Sequence, residues 1–229
     1  IESYADYEQL VGGVDTLFKE SSKKVQEYAS NSYKTAGISA NEYMEQITSF
    51  SASLISSLGG DTAKASEYGN RAIIDMSDNA NKMGTSMEMI QNAYQGFAKQ
   101  NYTMLDNLKL GYGGTKTEMQ RLIQDASKMT DVQKELNVSV KDGDMSFSNI
   151  VNAISVMQKS MGIAGTTAKE ASETISGSLN SMKSAWQNLL TGMADDNANF
   201  DQLINNFVDS VLTFGDNILP RIQVVIEGI

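Results

Sequence analysis

The residue types that this chain lacks exclude most enzymatic chemistry. Its 229 residues contain no Cys and no His. Disulfides, thiol nucleophiles, Cys–His zinc sites and a Ser-His-Asp triad are therefore excluded, and so is the side chain best suited to proton transfer near neutral pH. Only carboxylate chemistry and Ser/Lys chemistry remain open to the chain.

A glycine-rich segment, GYGGTKT (Gly111–Thr117), has some features of a phosphate-binding loop. A P-loop requires Gly-x-x-x-x-Gly-Lys-Ser/Thr after a strand. Here Thr115 separates the last Gly from Lys116, the spacing is one residue short, and the preceding segment has a helical pattern. The segment is interpreted as a glycine turn that leads into a helix capped by Thr115.

Two groups of carboxylates have some features of metal or catalytic sites. Counted from Asp142, an EF-hand needs Gly at position six and Glu at position twelve, where this chain has Phe147 and Ala153. Asp142 is interpreted as a turn residue, with a loose surface calcium site as the minor alternative. The pair Asp195–Asp196 is typical of a helix start. The sequence predicts no catalytic residue, no cofactor and no metal site.

Charge and hydropathy limit the partners of the chain. The net charge is −10, and an acidic surface disfavours nucleic acid, whose phosphates need clustered Lys and Arg. Residues 191–229 hold six acids and one base, a net charge of −5. No run of about 18 apolar residues occurs, so no membrane span is predicted. The first residue, Ile1, and the apolar run Ile222–Ile229 indicate a segment of a longer protein.

The pattern of caps and glycines predicts an all-α chain, a multi-helix bundle of about eight short-to-medium helices. Proline, which breaks helices, occurs once, as Pro220. Ser or Thr followed three residues later by Glu marks helix starts at four places: Ser39 with Glu42, Thr85 with Glu88, Thr115 with Glu118, and Thr167 with Glu170. Helix stops are predicted at four glycines: Gly59, Gly84, Gly162 and Gly192.

The helical spacing is lost over residues 131–145, where Leu136, Val138 and Val140 alternate with polar residues before an Asp-Gly turn. This pattern predicts either a short β-hairpin or an irregular arm. The chain is accordingly divided into a helical module (1–130), a linker or arm (131–147), a helical hairpin (148–193) and an acidic C-terminal helix (194–229) that leads into the rest of a longer chain.

Three long phrases of the sequence are distinctive: IIDMSDNANKMGT (Ile73–Thr85), IQNAYQGFAKQNYTMLDNLKLGYGGTKTEMQRL (Ile90–Leu122) and SMKSAWQNLLTGMADDN (Ser181–Asn197). They resemble the N-terminal region of tail tape measure proteins from phages and prophages of Gram-positive bacteria. Weaker similarity covers Glu2–Phe18 and Asn205–Ile222. The resemblance therefore extends over almost the whole chain.

The resemblance implies a non-enzymatic structural protein of the virion that sets tail length during assembly. Implied partners are the tail tube protein, the tail assembly chaperones and the distal tail or baseplate proteins. It also implies several copies per tail, commonly three, synthesis in the cytoplasm of the bacterial host, and a final location in the tail lumen or at the tail tip. Because glycines interrupt the helices so often, we expect a compact module attached to the ruler, with a role in anchoring or nucleation.

Two alternatives remain open, namely a murein-degrading enzyme domain and a secreted or membrane-active helical protein. The apolar side chains around the glycine turn are the best candidates for a partner contact: Tyr102, Leu108, Leu110 and Tyr112. Trp186, the only Trp, has the helical spacing of a core residue.

Overall fold

The computed structural model of the chain describes residues 2–193, 195 and 198–228. These residues form eleven α-helices and two 3₁₀ helices, Lys19–Ser21 and Leu105–Leu108, and contain no strand. The α-helices are α1 (Glu2–Phe18), α2 (Ser22–Thr35), α3 (Ala40–Ser57), α4 (Thr62–Met83), α5 (Met87–Ala98), α6 (Lys116–Ser127), α7 (Thr130–Leu136), α8 (Phe147–Ser160), α9 (Thr166–Glu173), α10 (Ile175–Gly192) and α11 (Phe200–Glu227).

The predicted all-α fold is confirmed, with more helices than the sequence indicated. One reason is that the apolar spacing after Thr167 continues across a break between α9 and α10. Thr174 makes this break, because its hydroxyl accepts a hydrogen bond from the Gly177 N–H at 3.0 Å and so caps α10. Side-chain periodicity alone does not reveal a cap inside an otherwise continuous apolar stripe.

Several helix ends lie where the local sequence predicts them. Ser39 accepts a hydrogen bond from the Glu42 N–H at 3.2 Å at the start of α3, and Thr115 caps α6 in the same way at 3.1 Å. Gly84 ends α4 in the left-handed conformation, with φ of 66°. These ends depend on neighbouring residues only, which is why the sequence predicts them.

Other ends differ from the prediction. Ser86 caps α5 instead of Thr85, and Thr167 lies inside α9. Asn199 caps α11 by accepting from the Gln202 N–H, so the carboxylate of Asp195 does not take that role. Asp196 lies outside the described residues.

The described residues divide into two compact units that are discontinuous in sequence. Unit 1 comprises Ile1–Thr16, Ser22–Glu45 and Thr167–Ile229, and unit 2 comprises Leu17–Ser21 and Gln46–Thr166, in each case as far as the chain is described. These units do not coincide with the four consecutive segments expected from the sequence, because each unit combines segments that are distant in sequence.

Unit 2 is built around α8, which packs against α4, α5, α6 and α7. Twelve consecutive residues of α8, from Phe147 to Gln158, are buried. A helix buried on all sides must place its polar side chains against polar partners. Unit 2 therefore contains hydrogen-bonded polar side chains in its interior.

Residues 131–145 form α7 and an irregular loop. Asn149, on α8, accepts from the Lys141 N–H at 2.9 Å and donates to the Lys141 and Asp144 carbonyl oxygens. Gln133 accepts from the Val140 N–H at 3.1 Å. These side-chain amides satisfy backbone groups that a hairpin would pair with another strand. The predicted irregular arm is therefore present only from residue 137 onward, because residues 131–136 belong to α7, and none of these described residues forms a strand.

In unit 1, α10 packs along α11 and against α2. Asn188, on α10, accepts a hydrogen bond from the Ala40 N–H at 2.9 Å, and the Ser184 hydroxyl donates to the Gly37 carbonyl oxygen. A β-carbon on Gly192 would lie 2.2 Å from Cδ1 of Leu203. Gly192 therefore leaves room for the end of the Leu203 side chain between α10 and α11.

Candidate interaction surface

The four residues predicted to contact a partner lie in the interior of unit 2. Their exposed fractions are 7% for Tyr102, 0% for Leu108, 5% for Leu110 and 8% for Tyr112. The sequence interpretation took apolar residues around a glycine turn as a surface, whereas the chain folds the turn inward. These side chains offer little area to a partner in this conformation, and their role as partner contacts stays a prediction.

Leu110→Ala should lower the free energy of unfolding by about 2 kcal/mol, because it removes a buried side chain and leaves a cavity. Chemical denaturation followed by circular dichroism measures this loss. The matched control is Leu212→Ala, which removes the same atoms from a side chain on α11 that is 61% exposed and should change stability by less than about 0.5 kcal/mol. Equal stability of the two variants would contradict the burial of Leu110.

Tyr112 is fixed by charged residues of α6. Its hydroxyl donates to the Asp125 carboxylate at 2.5 Å, and the Arg121 guanidinium lies 4.2 Å from the centre of its ring. Burial, together with the hydrogen bond and charge of Asp125, raises the pKa of Tyr112 to about 12. The Tyr112 hydroxyl is thus kept protonated, as a hydrogen-bond donor, at neutral pH.

The glycine turn binds a carboxylate of its own chain. The Gly113 N–H donates to Oε1 of Glu118 at 3.0 Å, and Arg121 donates to both oxygens of the same carboxylate. The hydrogen bonds from Arg121 and Gly113 lower the pKa of Glu118 to about 2. An anion placed at this turn would meet the fixed negative charge of Glu118, so the arrangement serves to close the turn onto α6.

Unit 2 contains a row of polar side chains between α4 and α8, which we call the polar seam. Its members are Arg71, Asp75, Asn79, Asn152, Ser155 and Gln158. All of them are buried except Arg71, which is partly exposed. Arg71 donates to Ser155 at 3.0 Å and also to Asn152. Ser155 donates to the Asp75 carboxylate. Asn79 donates to the Gln158 side-chain oxygen at 2.8 Å, and Gln158 donates to the Asp75 carbonyl oxygen at 2.9 Å.

Asp75 has the only carboxylate among the members of the polar seam, and the pKa of this carboxylate is strongly raised. Burial raises the pKa of Asp75 to about 7, although the Ser155 hydroxyl and the Arg71 charge oppose this rise, and the nearby Asp78 adds to it. Burial lowers the pKa of Arg71, but an arginine stays charged under ordinary conditions. The seam has an acid with a shifted pKa, but its side chains face each other inside the helix packing. We interpret it as a structural element.

The polar seam was not predicted, although one part of its signal is visible in the sequence. Asn149, Asn152, Ser155 and Gln158 recur every three residues in an otherwise apolar helix. Such a row indicates a polar partner on a neighbouring element. The identity of that partner, Arg71 and Asp75 on α4, depends on packing between segments about eighty residues apart, which periodicity does not reveal.

Unit 1 contains a cavity of 470 Å³ whose lining is rich in side-chain amides. Several of these amides already have structural roles. Gln202 donates to Asn206 at 2.8 Å, and Asn188 and Asn199 accept from backbone N–H groups of α3 and α11. Asp195 is the one carboxylate in the described lining. The cavity can offer hydrogen bonds to a polar group, but the described residues supply no second acid for paired acid–base work.

Most of the exposed large apolar side chains of the described residues lie on α10 and α11. Trp186 is 44% exposed, contrary to the prediction that it belongs to the core, and its ring lies 5.1 Å from that of Phe207 on α11. Leu190 on α10 and Met193, which follows the end of α10, are also exposed. Further apolar residues are exposed along α11 as far as Ile226. Such surfaces commonly mark sites of protein–protein contact.

The described residues contain no group of three or more Asp or Glu side chains placed to hold a metal ion. Among the same residues, no helix is both long enough and apolar enough to cross a membrane. Comparison of the chain with protein-family models, with curated proteins and with solved structures finds no match.

Proposed function

We propose that this chain is a structural segment from the N-terminal region of a phage tail tape measure protein and acts without catalysis in tail assembly and length determination. The observation that carries the proposal is the phrase Ile90–Leu122, in which more than thirty consecutive residues resemble that family. In this proposal the protein is made in the cytoplasm of the bacterial host and becomes part of the virion, in the tail lumen or at its tip.

The part of the fold formed by the phrase Ile90–Leu122 supports this proposal. The phrase Ile90–Leu122 forms a connected part of unit 2, from α5 through the glycine turn into α6. Its apolar residues, among them Ile90, Phe97, Leu105 and Leu122, are buried. The resemblance therefore covers residues that determine how the segment folds, so a related chain sharing them would form the same local structure.

The helices also support a module distinct from the ruler. The longest described helix, α11, has 28 residues, which corresponds to roughly 42 Å at 1.5 Å per residue. A ruler requires a much longer extended element. We therefore assign this segment a role in anchoring or nucleation, with the tail tube protein, the tail assembly chaperones and the distal tail or baseplate proteins as proposed partners and a homotrimer as the proposed state in the tail.

Tail length measured by electron microscopy tests the proposal. An in-frame insertion of about 60 helical residues downstream of this segment in the parent gene should lengthen tails by roughly 90 Å, and a deletion of the same size should shorten them equally. The control replaces the same downstream residues with a helical sequence of equal length, which should leave the length unchanged. Intact particles with unchanged tail length in both the insertion and the deletion variant would refute the proposal.

The alternatives have their own measurements. Cleavage of cell walls in a zymogram by the isolated chain would favour the murein-degrading enzyme. Leakage of liposomes would favour a membrane-active protein. Either result, together with unchanged tail length, would replace the proposed function.

A further inference from the structure

Helix α11 has apolar side chains on two faces, and the described chain covers one of them as far as Ile218. Beyond Ile218 every described residue of α11 is exposed, Val224 and Val225 included. The inner face carries Leu203, Phe207 and Phe214, which are partly buried, and includes the buried Ser210. The other face, which we call the outer face, carries seven apolar residues that are between 37% and 64% exposed: Ile204, Val208, Val211, Leu212, Leu219, Ile222 and Ile226.

The outer face is a regular stripe. At 100° per residue, its members lie within an arc of roughly 100°, which is the width of the apolar face of an amphipathic helix. From Ile204 to Ile226 it extends for roughly 33 Å at 1.5 Å per residue. An apolar stripe of this length matches the apolar stripe of another helix, since side-chain ridges of one helix pack into grooves of the other. Pro220 lies within the helix between Leu219 and Ile222.

Gly215 lies at the centre of the outer face. A β-carbon placed on it would meet no atom within 4 Å, so packing within the described chain does not require glycine there. Glycine inside a helix is less favourable than alanine. A glycine at the centre of an apolar stripe leaves a depression into which the side chain or backbone of a partner helix can fit, whereas a lipid surface requires no such depression.

The charges beside the outer face indicate the chemistry of the partner. Asp209, Asp216 and Glu227 follow one edge of the stripe and are exposed, while Arg221, the one basic residue of α11, lies on the other side of the helix. A second copy of this face would bring the same acidic edge, and anionic lipids would be repelled. Basic side chains beside an apolar stripe complement this edge.

We propose that the outer face of α11 binds an amphipathic helix of another protein, one that carries Lys or Arg beside its apolar stripe. In this complex the apolar stripe provides the contact area, and Gly215 lets the partner helix approach closely. The acidic edge selects a partner with basic side chains. This inference rests on α11 alone and does not depend on the proposed tail function, so its failure would leave the tail-length measurement unaffected.

The test uses the whole 229-residue chain and two designed, fluorescently labelled helical peptides. Both peptides have the same leucine stripe, and one has Lys and Arg beside it where the other has Glu. Fluorescence anisotropy should show the basic peptide binding about tenfold or more tightly than the acidic one at low salt. The difference should shrink at roughly 0.5 M NaCl, where exposed charges are screened.

Gly215→Leu is the decisive variant, because it fills the depression at a position where an added β-carbon meets no atom within 4 Å, and it should weaken binding of the basic peptide about tenfold or more. The matched control is Gly12→Leu, since Gly12 is also a helical glycine with no atom within 4 Å of an added β-carbon, but lies on α1. Circular dichroism should show that both variants keep or increase helicity. Only the first should lose binding.

Three results would overturn the inference. Equal binding of the basic and acidic peptides would mean that the outer face binds apolar surfaces without selecting a partner by its charge. Unchanged binding by Gly215→Leu would place the contact elsewhere. Self-association of the wild-type chain in sedimentation experiments, abolished by Gly215→Leu, would identify a second copy as the occupant.

Discussion

Gly114→Ala should lower the free energy of unfolding by about 3 kcal/mol, the upper part of the range for overpacking. A β-carbon on Gly114 would lie 2.2 Å from the Thr103 carbonyl oxygen and 2.9 Å from the carbon of the same group. Both atoms belong to the backbone, so no side-chain rotation relieves the overlap. The two turns that hold Tyr102 and Tyr112 in the interior must separate to accommodate the added methyl group.

The adjacent glycine provides the control for this prediction. A β-carbon on Gly113 would lie 3.5 Å from Cγ of Glu118, which is ordinary van der Waals contact. Gly113→Ala should therefore change stability by no more than about 1 kcal/mol. Thermal melting distinguishes the two variants, with a fall of roughly 10 °C for Gly114→Ala. Similar melting temperatures would mean that the turns do not approach as closely as the structure shows.

This pair of glycines also shows what the sequence could and could not predict. The turn and the cap at Thr115 were predicted because both follow from residues within one helical turn. The close approach of Gly114 to Thr103 involves the fold of the intervening loop. The same loop buries Leu110 and Tyr112, which the sequence interpretation had placed at a contact surface.

The packing of α11 shows a related limit. The sequence has apolar residues on both faces of this helix, and helical spacing alone does not indicate which face the chain covers. In the structure, α10 packs along the inner face, and Val208, Leu212 and Leu219 on the outer face are exposed. Local periodicity thus predicts that a helix forms, whereas the location of its free surface depends on long-range packing.

Asp75→Asn should make the chain progressively more stable than the wild type as pH rises from about 4 to 8. Burial raises the pKa of Asp75 from 3.8 to about 7, so the folded chain holds this proton more strongly than the unfolded chain. Because ionisation of Asp75 is less favourable in the folded chain than in the unfolded chain, the free energy of unfolding of the wild type falls as pH rises between these two pKa values. A shift of this size corresponds to roughly 4 kcal/mol.

Asparagine keeps the shape of the side chain and can still accept the hydrogen bond that Ser155 donates to Asp75, but it cannot ionise. The difference in free energy of unfolding between the variant and the wild type should therefore increase over this pH interval and level off above about pH 8. Urea denaturation at a series of pH values measures it. Taking the difference cancels the contributions of the other carboxylates, which both proteins share.

Ser155→Ala tests the cause of the pH dependence. The Ser155 hydroxyl and the Arg71 charge both favour the ionised form of Asp75, while burial and the nearby Asp78 oppose it. Removing the hydroxyl should raise the pKa of Asp75 further, and the loss of stability should then continue to higher pH than in the wild type. Arg71→Met should act in the same direction through the loss of its charge. A pH-independent difference between Asp75→Asn and the wild type would show that Asp75 is solvated, because burial is the only large influence that holds its proton.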